Sequence, residues 1–268
     1  ITDQRKFQMA EQIRFANLSG DQNPIHVDEV LARKLTFGEP VVHGVHLVLW
    51  ALNRLVKNYD IPSASIQHIQ TNFHKGILLD RVITLGVEIS DNHFIAKIFD
   101  EDDLMATIKV RFGQFVSYKG TLPLMKCVEL KTEWDKNGTI PLMFDSFVFG
   151  KTFPYLNTSV PPFQLAVLLA TTRLIGMECP GLNSLYSSLD INYNDIAIGI
   201  PELRYEASDV DSLSGMTIKI NGPGFNGELR SYIRPSSVIQ PSIEDMKSLV
   251  GVNEFKGQRA LIIGGTRG

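Results

Sequence analysis

The sequence is poor in cysteine, in runs of like charge and in long apolar stretches, and each shortage removes a class of protein. Its two cysteines, Cys127 and Cys179, have neither metal-ligand spacing nor the number needed for a disulfide framework, so they read as structural thiols in a reducing cytoplasm. No Lys/Arg run accompanies the formal net charge of −3, which argues against nucleic acid as the main partner and leaves room only for a local basic pocket. The longest apolar runs, 45–52 (interrupted by His46) and 165–170, fall far short of the ~18 residues of a membrane span. The opening Ile-Thr-Asp-Gln-Arg-Lys is unlike a signal peptide and lacks a starting Met, as in a trimmed fragment. What remains, 44% hydrophobic and 21% charged over 268 residues, suits a soluble chain of one large or two ordinary domains.

One stretch concentrates chemistry. Ser19-Gly20-Asp21-Gln22-Asn23-Pro24-Ile25-His26 is rich in turn formers and holds two side chains able to carry a proton, Asp21 and His26. Downstream, Pro40-Val41-Val42-His43-Gly44 opens an almost wholly apolar helix predicted over 45–59. The His43-Gly44 pair then lies at a helix mouth, where unpaired N–H groups favour negative charge. An acid–base pair and an oxyanion donor would come from two neighbouring segments.

The rest of the chain repeats itself. A short helix over 7–17 leads into the Asp-Asn-Pro-His loop, and Asp28 can cap a second short helix reaching Lys34. Strands are predicted near Ser65–Phe73, 81–90, His93–Asp100 and 105–115. Residues 120–141 lose apolar periodicity and read as a linker, after which the same order returns. Ala51-Leu52-Asn53-Arg54-Leu55-Val56 resembles Ala170-Thr171-Thr172-Arg173-Leu174-Ile175 at an offset of 170 − 51 = 119; Asn72 matches Asn192 at 120 and Lys97 matches Lys219 at 122. A slowly drifting offset is the mark of a duplicated domain with small loop insertions. The expected organisation is a first half over 1–119, the linker, and a second half over 142–256 that lacks the acid–base loop. One half would be active and the other structural or substrate-shaping.

Phe15-x-x-Leu18-Ser19-Gly20-Asp21-x-Asn23-Pro24-Ile25-His26, followed by Pro40-Val41-Val42-His43-Gly44, resembles the MaoC-like (R)-specific enoyl-CoA hydratases, or hydratase 2. The resemblance implies an α+β double hotdog, in which each half is an antiparallel sheet wrapped around one long helix. It implies that Asp21 and His26 are the catalytic pair, that Asn23 is the motif's Asn, and that Gly44 donates its backbone N–H to the thioester oxygen; His43, beside Gly44, is expected to support the site. The substrate implied is a 2-enoyl or (3R)-3-hydroxyacyl thioester of coenzyme A or of an acyl-carrier protein, with no cofactor for the hydration, and a homodimer is a further expectation. The motif is intact but stands in the N-terminal half, where the double-hotdog hydratases it resembles carry it in the C-terminal one.

Singly, Asp21 and Asn23 would read as an Asx turn and His26 as a buried core histidine; joined in this motif they read as a site. His43 and His46, three apart, invite a metal reading, but without a second ligand pair packing or substrate-gate roles fit better. Two alternatives stand beside the hydratase. A hotdog thioesterase would resemble its relatives in carrying an acidic residue on the central helix, and neither 45–59 nor 163–177 has one. A non-catalytic acyl-binding or dimerisation module would not need the intact loop. Finally, the segment 257–268 ends in Ala260-Leu261-Ile262-Ile263-Gly264-Gly265-Thr266-Arg267-Gly268, similar to the first strand and Gly-x-x-x-Gly turn of short-chain dehydrogenase/reductases. Gly264 and Gly268 would begin an incomplete dinucleotide site, with Arg267 suited to the extra phosphate of NADP, so the expectation is a dehydratase fused to a reductase.

Overall fold

The computed structural model describes residues 2–59, 61, 65–90, 93–113, 117–118, 120–126, 130, 133–194, 196–197, 199–234 and 241–261. Two compact units divide at Arg234. The first, Ile1–Arg234, holds a ten-stranded antiparallel sheet and two long buried helices.

The elements of this unit run β1 (Thr2–Lys6), α1 (Met9–Ser19), α2 (Pro24–Val27), α3 (Glu29–Ala32), α4 (Gly44–Asn58), β2 (Ser65–Phe73), β3 (Val82–Ser90), β4 (His93–Asp100), β5 (Asp103–Gly113) and β6 (Ser117–Tyr118). They continue with β7 (Asn137–Pro141), α5 (Ser146–Thr152), α6 (Pro154–Ser159), α7 (Pro162–Arg173), β8 (Ser184–Tyr193), β9 (Ile196–Ala197), β10 (Glu202–Ala207), β11 (Gly215–Gly222) and β12 (Phe225–Ile233). β6 and β9 form a small parallel pair apart from the main sheet. The main sheet has the order β1-β3-β4-β5-β2-β8-β12-β11-β10-β7, which reads the same way outward from the β2–β8 seam in both directions.

That symmetry explains the sequence repeat. At the seam Gln70 pairs with Asp190, and 190 − 70 = 120 is the offset read from Asn72 and Asn192. β3 and β10 begin 202 − 82 = 120 apart, whereas β4 and β11 begin 215 − 93 = 122 apart and β5 and β12 begin 225 − 103 = 122 apart. The two-residue drift therefore arises between β3 and β4, in the hairpin connection that is longer in the second half.

Period-two alternation gives inner strands such as β4 and β11 one buried face, and the buried faces close around α4 and α7. From Val45 to Asn53 every residue of α4 is buried, and so is every residue of α7 after Pro162. Burying a side chain such as Leu49 or Leu52 stabilises the fold by about 1.5–3 kcal/mol. The halves are stitched as well as packed. At the β2 bulge after Ile66, the Gln164 amide of α7 accepts from Ile66 N at 2.8 Å and donates to Ile66 O at 2.7 Å. Asn53 Oδ1 of α4 in turn accepts from Tyr155 N and Leu156 N at the start of α6.

Several elements differ from the sequence reading. Residues 2–6 form edge strand β1, which apolar periodicity had not marked because an exposed edge strand of Thr-Asp-Gln-Arg-Lys buries little. Asn137–Pro141, at the end of the expected linker, form β7, held by pairing to β10. The α-helical part of the second long helix stops at Arg173 and continues as a π-helical turn, Leu174–Glu178. The compact unit ends at Arg234, short of the boundary at 256. In the second unit, Pro235–Gly268, a six-residue helix α8 (Ile243–Ser248) is held by a capping box between Ser242 and Asp245, and every residue described from 241 to 261 is exposed. Gly264, Arg267 and Gly268 lie outside the described residues. Among those described, no helix is long and apolar enough to cross a membrane.

Candidate active site

The Asp-Asn-Pro-His loop is built by local backbone chemistry. Helix α1 ends at Gly20, whose φ of 79° is the left-handed conformation glycine adopts without penalty, and its N–H returns to Ala16 O at 2.8 Å. The chain reverses there, and Asp21 follows with 2% of its surface exposed. Asp21 Oδ1 accepts from Asn23 N at 3.2 Å, the Asx turn that these residue types favour. Asn23 Oδ1 then accepts from Ile25 N at 3.2 Å and caps α2, with Pro24 at the first helical position. The structural and the functional readings of the loop are thus compatible: the turn that satisfies its backbone also aims its side chains.

His26 leaves α2 toward the same space. Its Nδ1 donates to the Val41 carbonyl at 2.8 Å, and because a carbonyl only accepts, the neutral ring keeps its lone pair on Nε2. Burial pulls the His26 pKa down, opposed by the Asp21 charge and the Val41 bond. Burial pushes the Asp21 carboxyl up, opposed by His26, the Thr172 hydroxyl and the Asn23 N–H. Desolvation thus disfavours the charged form of both groups, while their mutual attraction and their hydrogen bonds favour it.

His43 is wholly buried and is not among the residues that line the cavity. Its ring stacks on His26 with centroids 3.9 Å apart, its Nε2 lies 3.1 Å from the Asp21 carbonyl, and its Nδ1 lies 2.8 Å from Gln12 Oε1. Burial, with the neighbouring His26 charge, holds its pKa well below the ordinary histidine value. Gln12 also accepts from His43 N and reaches His46 Nδ1, so α1 is tied to the mouth of α4. Asp21, His26 and His43 offer possible ligand atoms within 4.8 Å of one another; both oxygens beside the His43 ring are acceptors, so the neutral ring donates to one of them and presents a lone pair to the other.

Gly44 is the first residue of α4, where the helix leaves N–H groups without an intrahelical partner, and it lines the same cavity as Asp21 and His26. A Cβ here would meet Phe73 Cζ at 2.9 Å, which accounts for glycine at this position. The cavity has a volume of about 790 Å³. Its walls come from both halves: Asp21, His26, Leu47 and Phe73 from the first, Thr172, Ile175 and Tyr186 from the second.

The second half does more than shape space. Thr172 Oγ1 of α7 donates to Asp21 Oδ2 at 2.6 Å. The π-helical turn brings Gly176 so close that a Cβ there would overlap the Asp21 carboxylate, and its carbonyl accepts from Asn23 Nδ2 at 3.1 Å. Gln22 N points to Met177 Sδ. Sequence reasoning missed Thr172, Gly176 and Gln12. A signal existed for the first, since Thr171-Thr172-Arg173 interrupts the apolar run of α7 with polar groups that need partners in a buried helix.

The fold is a double hotdog whose first half carries the Asp-Asn-Pro-His loop. Residues 2–109 match the family model of the MaoC like domain. A 3-hydroxybutyryl-CoA dehydratase of Methylorubrum extorquens is 27% identical over 89 residues, covering 32% of this chain and 55% of that protein, so the match spans about half the relative's length. Among solved structures, a MaoC-like dehydratase superposes with a TM-score of 0.55 at 12% identity over 88% of this chain and 98% of its own. A MaoC-like dehydratase from Phytophthora Capsici gives 0.53 at 11% identity, over 89% and 96% of the two chains. At these identities the structural likeness speaks for the fold, and it extends across both halves.

Proposed function

We propose that this chain hydrates a 2-enoyl thioester to the (3R)-3-hydroxyacyl thioester, and catalyses the reverse dehydration, with Asp21 and His26 as the acid–base pair and Gly44 as the oxyanion donor. The observation that supports the reading is that a buried carboxyl group, a histidine with its lone pair on Nε2 and the first residue of a long buried helix line one cavity. A water held between Asp21 and His26 Nε2 would bond through its oxygen to C3 as its proton passes to the pair. The C2=C3 electrons move toward the thioester oxygen, where the Gly44 N–H meets the developing charge, and a proton from the pair goes to C2. Asn23 and His43 hold the loop in place. The absence of Asp and Glu from α4 and α7 favours this over a thioesterase.

The substrate would be carried by coenzyme A or an acyl-carrier protein, in the cytoplasm, by a chain that pairs as a homodimer. Residues 261–268 support a second element of the proposal, an NADP(H)-dependent reductase domain that would make the 3-hydroxyacyl thioester for dehydration. Incubation of the purified chain with a short trans-2-enoyl thioester, with chiral analysis of the product, tests the first element; nicotinamide nucleotide binding by the natural full-length polypeptide tests the second.

A further inference from the structure

Arg234 immediately follows β12 and is 4% exposed. Among the described residues no carboxylate pairs with its guanidinium. Its Nη2 donates to Leu182 O at 2.7 Å, its Nε reaches Ser184 O at 3.4 Å, and its backbone N donates to Asn183 O at 2.7 Å. The Leu182 carbonyl also accepts from Asn23 Nδ2 at 3.3 Å, as does Gly181 O. The same short turn is therefore gripped from one side by Arg234 and from the other by the Asn of the acid–base loop. A guanidinium buried without an acid is costly, and carbonyl dipoles alone satisfy its donors without neutralising its charge. That charge is felt at His26.

We propose that Arg234 is a positioning residue of the hydratase site proposed above: it holds the turn that cradles Asn23 and keeps a buried positive charge against the carbonyl that Asn23 also grips. The other groups facing His26 are Asp21 from the loop and the His43 ring stacked on it, and the cavity wall adds His74 and Lys75, the latter paired with Asp103 at 2.8 Å. Asp21 favours the imidazolium, and the buried Arg234 cation opposes it. A neutral His26 is the form with the Nε2 lone pair that the proposed chemistry uses.

The test separates charge from hydrogen bonding. Arg234→Gln keeps a donor for Leu182 O and loses the charge; Arg234→Lys keeps the charge and loses the fork. The His26 ring is titrated by NMR in the folded wild type and both variants, its signal assigned by its loss in His26→Ala, alongside the pH profile of kcat/KM. The expected result is an upward shift of the His26 midpoint, and of the acid limb, by about half a pH unit in Arg234→Gln, with Arg234→Lys near wild type. Should Arg234→Gln not fold, Arg234→Met, a neutral side chain for the same buried space, takes its place. Equal midpoints in all three proteins, equal shifts in both variants, or folding only when residue 234 is cationic would overturn the proposal. The NMR titration needs no turnover, so it reads Arg234 even if the hydratase reading itself failed.

Discussion

Thr172 Oγ1 lies 2.6 Å from Asp21 Oδ2, a hydrogen bond across 151 residues that ties the helix of the motif-free half to the carboxylate of the other. The bond stabilises the ionised carboxylate and opposes the upward push of burial. Thr172→Val, close in shape and without the donor, should move the Asp21-dependent limb of the pH profile to higher pH and slow turnover by ~10-fold or more, the scale of a hydrogen bond to a charged group. Thr172→Ser should restore both. Steady-state profiles of the two variants check this; an unshifted profile in Thr172→Val would mean that the hydroxyl only fills space.

Gly176 has no room for a side chain against Asp21. Gly176→Ala should displace the carboxylate or the π-helical turn, lowering turnover by ~100-fold, because a misplacement of about 1 Å at a reacting group costs that much. Thermal melts and activity measured together distinguish a displaced site from an unfolded one. Full activity with an unchanged melt would show that the turn yields freely.

Stability should depend on pH through the buried histidines. His26, His43 and His46 all have native pKa values below the ordinary 6.5, so the native state binds protons less readily than the unfolded chain. Their contribution is present above pH ~6.5 and lost as pH falls through the lowered native values. Asp21, raised above 3.8, has the opposite sign: its contribution is present below the unfolded value and lost as pH rises through the native one. Denaturant midpoints should therefore fall between pH 7.5 and 5.5, and His43→Gln should reduce that fall. A flat curve for the wild-type protein would contradict the burial of these rings.

The sequence made the loop legible because its chemistry is local. Gly20, Asp21, Asn23 and Pro24 satisfy their own turn, and the same residue types recur in order wherever such a turn is built. Helix α4 and the four strands after it were legible from periodicity, and the repeat was legible because the offset at the Gln70–Asp190 seam equals the sequence offset. Contacts between the halves were not. Thr172 reaches Asp21, and Gly176, Gly181 and Leu182 reach Asn23, only after two helices pack inside one sheet, and no spacing rule carries 150 residues. β1 and β7 escaped for a different reason: they are five-residue edge strands, Thr-Asp-Gln-Arg-Lys and Asn-Gly-Thr-Ile-Pro, with too few apolar residues to show alternation.

The account turns on Asp21 and His26, and the most direct measurement is hydration of a short trans-2-enoyl thioester by the wild-type chain, Asp21→Asn and His26→Ala, each shown to be folded by its thermal melt. The expected result is conversion to the (3R)-3-hydroxyacyl thioester by the wild type and a loss of ~10²–10⁴ in rate for each variant, the usual cost of removing one member of a general acid–base pair. Near-wild-type turnover by either folded variant, or no hydration by the wild type, would contradict it.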